Sequence, residues 1–286
     1  MPSSRPSPTS PSPEAPILTV NEVSRHFDTA EGRIDAVSGI SLSVGRGEFV
    51  SIIGPSGCGK STLFSMIGGL LPASAGSIHI ENEAVHGPHP AIGMVFQEDS
   101  TFPWRTVIEN VAFPLELQGV PKAERFEKAR HFIDLVGLTG FERSYPSKLS
   151  GGMRQRVSIA RTLVFEPKLL LMDEPFAALD EQTRLLLGDQ VSQIQATLNQ
   201  TVLLITHNIA EAVQLSDRVM IMTYRPGQNK RVLGIDLPRP RTSEMLSSEA
   251  FGHYVAQIWN DLREEAGRGM KEAERLSSHG VGHAQS

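Results

Sequence analysis

Gly54-Pro55-Ser56-Gly57-Cys58-Gly59-Lys60-Ser61-Thr62 places glycines through a short loop and follows them with a lysine and two hydroxyls. Glycine lets backbone N–H groups close around phosphate oxygens. A helix starting near Ser61 would point its positive end at the same oxygens. In such a loop Lys60 neutralises the β- and γ-phosphates of a nucleotide, and the Ser61 hydroxyl coordinates Mg²⁺. Downstream, the apolar run Leu169-Leu170-Leu171-Met172 ends in Asp173-Glu174. An Asp in that position is either a helix N-cap or a carboxylate that organises Mg²⁺. Glu174 and Pro175 after it, and the phosphate loop before it, favour the second. Glu174 then has the place of a general base that polarises an attacking water. A carboxylate is already in its base form at neutral pH, so such a task needs little tuning. Leu149-Ser150-Gly151-Gly152 opens a helix whose free N–H groups suit an anion. His207 follows the apolar run Thr201 to Ile205.

These residues need a scaffold. Ile17 to Phe27 and Ile34 to Val44 read as strands joined by a polar turn, and Glu48 to Ile53 is a short β-branched strand leading into the glycine loop. Ser61 to Gly69 reads as a helix, giving the strand–loop–helix context that a phosphate loop requires. Ser77 to Ile80 and Ala91 to Phe96 are two further strands. Thr106 to Gln118, Pro121 to Val136 and the stretch from Gly151 are helical. About 97–165 is therefore a helical insertion in an α/β body. Lys168 to Met172, Thr201 to Ile205 and Arg218 to Met222 then alternate with helices, the pattern of a mostly parallel sheet covered on both faces.

The chain has 286 residues, 40% hydrophobic and 21% charged, with a net charge of −5. That balance argues against a nucleic-acid partner, which needs a concentrated basic face. One cysteine, Cys58, excludes an intrachain disulfide and fits a reducing compartment. No apolar run approaches the ~18 residues that span a bilayer, so work at a membrane would need spanning helices from another chain. Residues 1–16 alternate Pro and Ser, which reads as a disordered extension without the apolar centre of a secretory signal. The chain from about Gly267 also reads as loose. His86 and His89 have no third metal ligand nearby and read as loop residues.

Taken in order, the phosphate loop, Leu149-Ser150-Gly151-Gly152, Asp173-Glu174 and His207 make the chain resemble the ATPase subunit of ATP-binding cassette (ABC) transporters, from about Ile17 to Leu237. The resemblance implies an α/β P-loop NTPase fold, with a mostly parallel sheet core, an N-terminal antiparallel β subdomain and an inserted helical subdomain. The ATPase domain would span 17–241, with a C-terminal helix and loose tail over 242–286. It implies ATP and Mg²⁺ as ligands, with Ser61, Asp173 and Gln97 at the metal and Lys60, Glu174, His207 and Gln97 in catalysis. His207 would sense the γ-phosphate and hold Glu174 and the water in position. Phe27 has two readings, a ring stacked on adenine or a core residue. Ser150, Gly151 and Gly152 would face the γ-phosphate held by a second copy, so ATP would be clamped in a head-to-tail homodimer. Asp180, in Ala178-Leu179-Asp180, would lie in the loop that links the two sites. Met153 stands where Gln is usual and Ala178 where Ser is frequent.

Such a switch needs a load. The segment Glu98 to Arg105, with Phe102-Pro103-Trp104-Arg105, directly follows Gln97 and either receives a cytoplasmic helix of a transmembrane permease or closes the helical core. The run from Phe102 to Val111, with Asp236-Leu237-Pro238-Arg239-Pro240-Arg241, resembles the nitrate/sulfonate/taurine/bicarbonate importer branch, which also includes carriers of thiamine-precursor pyrimidines. That implies a peripheral subunit on the cytoplasmic face of the membrane, with permease subunits and, indirectly, an extracytoplasmic solute-binding protein. Three readings compete: a non-transport ABC ATPase, a small-metabolite kinase and a non-enzymatic nucleotide-binding module. The first lacks a second cassette or coiled-coil insertion, the second has no use for Leu-Ser-Gly-Gly, and intact Glu174 and His207 oppose the third. Finally, Cys58 lies beside Lys60 and a helix start, which favours a reactive thiolate shielded by bound nucleotide.

Overall fold

The computed structural model describes residues 15–30 and 32–280, with side chains to residue 269. Apart from Ala15 and Pro16, the Pro/Ser-rich extension lies outside the described residues.

Leu18–Thr29 (β1) and Gly32–Val44 (β2) carry the partial alternation of one-sided strands and pair antiparallel, with Leu18 opposite Val44. Phe49–Ile53 (β3) is buried at every residue, as a strand covered on both faces must be. It runs into the glycine loop and then Lys60–Ile67 (α1), which buries Leu63, Phe64, Met66 and Ile67. Gly59, with φ 98°, caps that helix; a Cβ there would lie 2.6 Å from the Ala36 carbonyl, so β2 could not approach the loop past any side chain. Ala75–Ile80 (β4) and Glu83–Ala84 (β5) complete a small antiparallel sheet of order β2-β1-β4-β5.

After Ile92–Val95 (β6) the chain turns helical through Val107–Leu117 (α2), Lys122–Leu135 (α3) and Gly151–Leu163 (α4). A capping box starts α2: Thr106 and Glu109 satisfy each other's backbone N–H groups. The helices pack on one another through Val111, Ile133, Val157 and Ala160, all fully buried. Leu169–Asp173 (β7), Glu181–Leu198 (α5), Thr201–Ile205 (β8), Ile209–Leu215 (α6) and Arg218–Met222 (β9) restore the alternation of strand and helix. Asn229–Gly234 (β10) returns antiparallel to β9, an edge strand too polar for apolar patterning to find.

The main sheet has the order β10-β9-β3-β8-β7-β6, and every pair except β10·β9 is parallel. β3 lies between β8 and β9, with β7 one strand further along. Parallel strands end on the same side, so the glycine loop, Asp173-Glu174 and Thr206-His207 emerge together, where open α/β sheets bind their ligands.

The C-terminal segment departs from its compositional reading. Glu249–Gly280 (α7) is helical well past Gly267. Arg268 pairs along the helix with Glu264 at 2.9 Å and Glu265 at 3.3 Å, and Gly269 meets the Tyr224 ring, a tertiary contact in the part read as loose.

Candidate nucleotide-hydrolysis site

The loop from Gly54 to Gly59 is braced by its own lysine. Lys60 is 7% exposed, and its Nζ donates to the carbonyls of Gly54 at 2.9 Å and Pro55 at 3.0 Å. A cavity of about 810 Å³ opens over the loop; Phe27 and Ile34 line it with Lys60, Ser61, Glu174 and His207. Phe27 is half-buried and lines this cavity. The Arg25 guanidinium sits 4.8 Å from its ring centroid. Thr62 and Ser56 also line the cavity.

Asp173 ends β7 opposite Ile205 of β8. Burial pushes its carboxyl up from the ordinary 3.8 to about 6, and the Glu174 charge adds to the rise; Lys60 and a hydrogen bond from Ser61 oppose it. Its Oδ1 is buried without a hydrogen-bond partner. A desolvated carboxylate oxygen beside a serine hydroxyl fits a hard divalent cation that prefers oxygen donors and retains water and phosphate ligands. Mg²⁺ therefore fits the donor set of Ser61 and Asp173.

Glu174 adopts φ 44°, unusual for a residue with a side chain, and its N–H donates to the Ile205 carbonyl at 2.8 Å. Such strain costs about 1–3 kcal/mol and persists where the surroundings over-determine it. Its Oε2 lies 3.1 Å from His207 Nδ1; the His207 side chain is 60% exposed, that of Glu174 23%. The pair thus stands at the cavity wall with carboxylate and imidazole in contact. Beneath it, Thr206 donates to Glu211 at 2.6 Å, and Arg184 approaches the same carboxylate at 3.5 Å. Arg184 also donates to the Leu179 carbonyl at 3.0 Å. Burial raises the Glu211 carboxyl despite these partners. This network joins the histidine turn to the Ala178-Leu179-Asp180 loop.

Residues 37–177 match the ABC transporter family model. A nitrate import ATP-binding protein of Synechocystis sp. is 42% identical over 91% of this chain and 99% of its own length. An uncharacterized ABC transporter ATP-binding protein of Methanocaldococcus jannaschii is 46% identical over 89% of this chain and 94% of its own. Among solved structures, an ATP-binding cassette captured as a dimer in a post-hydrolysis state with ADP and Pi superposes with a TM-score of 0.68. It is 30% identical, covering 77% of this chain and all of the other. The chain belongs to the ABC transporter ATP-binding family.

As an ABC ATPase it hydrolyses ATP, and the remaining site residues lie outside the cavity over the glycine loop of their own chain. Ser150 caps α4, accepting from the Met153 N–H at 3.3 Å. With Gly152 it lines a different cavity of about 760 Å³, beside Thr183 and Arg156. Gly151 begins the helix. The motif therefore does not line the cavity above Lys60 of its own chain. Asp180 caps α5, bonding the Thr183 N–H at 3.0 Å and hydroxyl at 2.7 Å, and is not part of the phosphate cavity. Gln97 is exposed after β6 and also lies outside that cavity's lining. Trp104 is 71% exposed, while Phe102 packs on Phe113 with ring centroids 4.7 Å apart. The two rings also touch, with centroids 5.7 Å apart, so Phe102 bridges the exposed Trp104 to the subdomain.

Cys58 is corrected outright. It is fully buried, and burial raises its thiol pKa even though Lys60 pulls the other way. Desolvation outweighs the charge, so the thiol is protonated and shielded. Sequence reading missed Arg225, whose Nε donates to the Gly57 carbonyl at 2.8 Å, as well as Arg184 and Glu211. No local pattern marks a contact between residues 168 positions apart.

Proposed function

We propose that this ATPase powers import of a small anion, such as nitrate, a sulfonate, taurine or bicarbonate, through a separate transmembrane permease. The supporting observation is likeness along nearly the whole chain to import subunits. Besides the nitrate relative, an aliphatic sulfonates import ATP-binding protein of Bacillus cereus is 42% identical over 82% of this chain and 91% of its own. No described helix is long and apolar enough to cross a membrane. Its likeness to import subunits gives the chain a peripheral place on the cytoplasmic face, with a binding protein on the opposite side delivering the solute.

In the proposed cycle, Lys60 releases its loop carbonyls to neutralise the β- and γ-phosphates of ATP. Ser61 and Asp173 would hold Mg²⁺, which would supply charge neutralisation when bound. Glu174 accepts the proton of the attacking water, and His207, in contact with its carboxylate, keeps that group aimed. Gln97 moves in from outside the cavity when ATP binds and gives the helical subdomain a lever. Ser150-Gly151-Gly152 of a second copy then approaches the γ-phosphate with its helix N-terminus. Closure of two copies on two nucleotides, and their opening after hydrolysis, moves the permease through the exposed Trp104 region.

Glu174→Gln tests the cycle. It should retain ATP affinity, lower kcat at least about 100-fold and elute as a dimer with ATP. Normal turnover removes Glu174 from the base role, and a strictly monomeric nucleotide-bound variant refutes closure. Solute choice is tested in proteoliposomes with the co-encoded permease and binding protein: ATP-dependent uptake of labelled nitrate or sulfonate supports it, and uptake of neither under active turnover rejects it.

A further inference from the structure

The connection between β9 and β10 leans on the phosphate loop. Thr223 closes the connection on itself, its hydroxyl donating to the Pro226 carbonyl and accepting from the Gln228 N–H, both at 3.0 Å. Gly227 donates its N–H to the Ala36 carbonyl at 3.0 Å and accepts from the Ser38 N–H at 2.9 Å. A Cβ at Gly227 would fall 2.1 Å from the Cys58 carbonyl oxygen, so this backbone lies directly against the loop. Between them Arg225 donates Nε to the Gly57 carbonyl at 2.8 Å. Its guanidinium lines the same cavity as Lys60 and Phe27.

The other side of the connection is held by α7. The Tyr224 N–H donates to Glu265 Oε2 at 3.0 Å, and Glu265 is 1% exposed. Its second oxygen accepts from Lys230 at 2.8 Å, and Lys230 also donates to the Asp261 carbonyl at 3.1 Å. A Cβ at Gly269 would meet the Tyr224 ring at 2.8 Å, so helix and ring already touch. A buried carboxylate with this many donors is a fixed post, because breaking it leaves an uncompensated charge.

Taking ATP as the ligand of the cavity, we infer that Arg225 is a positioning residue of the phosphate loop, and that α7 sets ATP affinity by holding the connection that carries it. A loop that binds phosphate must aim N–H groups inward and keep its carbonyls away from the anion. Arg225 occupies the Gly57 carbonyl, which lies outside the reach of Lys60's two bonds. Its planar, permanently charged fork also adds a positive wall to the cavity. The path Glu265–Tyr224–Arg225–Gly57 carries the position of α7 to the nucleotide.

The test measures MgATP binding by calorimetry and steady-state ATPase on full-length variants. Arg225→Ala should weaken ATP binding and raise KM about tenfold, with kcat changed less than about twofold. Arg225→Lys should recover only part of the loss, since an ammonium lacks the fork. Glu265→Ala should weaken binding in the same direction, and the Arg225→Ala/Glu265→Ala double variant should be no weaker than Arg225→Ala alone. Should Glu265→Ala not fold, Gly269→Ala perturbs the same link by pressing a methyl on Tyr224 without unpairing a charge, and should raise the Kd. Unchanged ATP affinity in Arg225→Ala overturns the positioning role. Unchanged affinity in the folded α7 variants, or additive losses in the double variant, overturns the link to α7. Wild-type protein that binds no ATP would instead refute the nucleotide assignment itself.

Discussion

Asp173→Asn should stabilise the fold while abolishing its use. The carboxyl moves from an ordinary 3.8 to about 6 in the folded chain because burial, then Glu174, disfavour its ionised form. The folded state therefore binds more protons than the unfolded state between those values, and stability falls as pH rises through that window. At about 1.4 kcal/mol per pH unit the full penalty is about 3 kcal/mol, complete above pH ~6 and absent below pH ~3.8. The side chain is half-buried, so solvent screening leaves about 1–2 kcal/mol as the expected figure. Asparagine keeps the shape and removes the charge. Thermal unfolding without nucleotide should show the variant about 2–3 °C more stable at pH 7.5, and the advantage should shrink at pH 4.5. MgATP, which should raise the wild-type midpoint, should raise that of the variant far less. A variant less stable than wild type at pH 7.5, or an advantage independent of pH, would refute the account of Asp173 as a carboxylate kept at a cost to the fold.

Phe27→Ala removes the ring at one end of the cavity and should raise KM for ATP about five- to tenfold with little change in kcat; an unaltered KM would deny the ring a nucleotide contact. Trp104→Ala deletes an exposed side chain, so basal ATPase and stability should hold while transport in proteoliposomes uncouples from hydrolysis. Loss of stability in that variant would return Trp104 to the subdomain core. The Cys58 thiol should react with maleimide on denaturation but only slowly in the folded protein, with no added protection from MgATP. Rapid labelling of the native chain would contradict its burial.

The residues that could do chemistry were legible where their geometry is local. A glycine loop between a buried strand and a helix can be read from some twenty residues, because the strand's apolar run and the loop's glycines act on their own backbone. Asp173-Glu174 and His207 were legible for the same reason, each following an apolar run too short for anything but a strand. Their meeting was implied by the resemblance, not by any local pattern. Glu174 reaches His207 because β7 and β8 are neighbours in register, with Asp173 beside Ile205, and that pairing is a property of the sheet.

Where local and tertiary forces oppose each other, tertiary structure decided. A helix start and Lys60 argued for a thiolate at Cys58, yet full burial outweighs both charges. Composition argued for a loose chain after Gly267, yet the contact with the Tyr224 ring ties that part of α7 to the body. Arg225 on Gly57 and Arg184 near Glu211 had no signature at all, since each contact joins residues that only folding brings together. Sequence by itself determined which backbone segments can cradle phosphate and which side chains can move a proton, because those capacities belong to a residue and its near neighbours. Only the tertiary structure decided which of them share a cavity, since desolvation and charge pairing act across space.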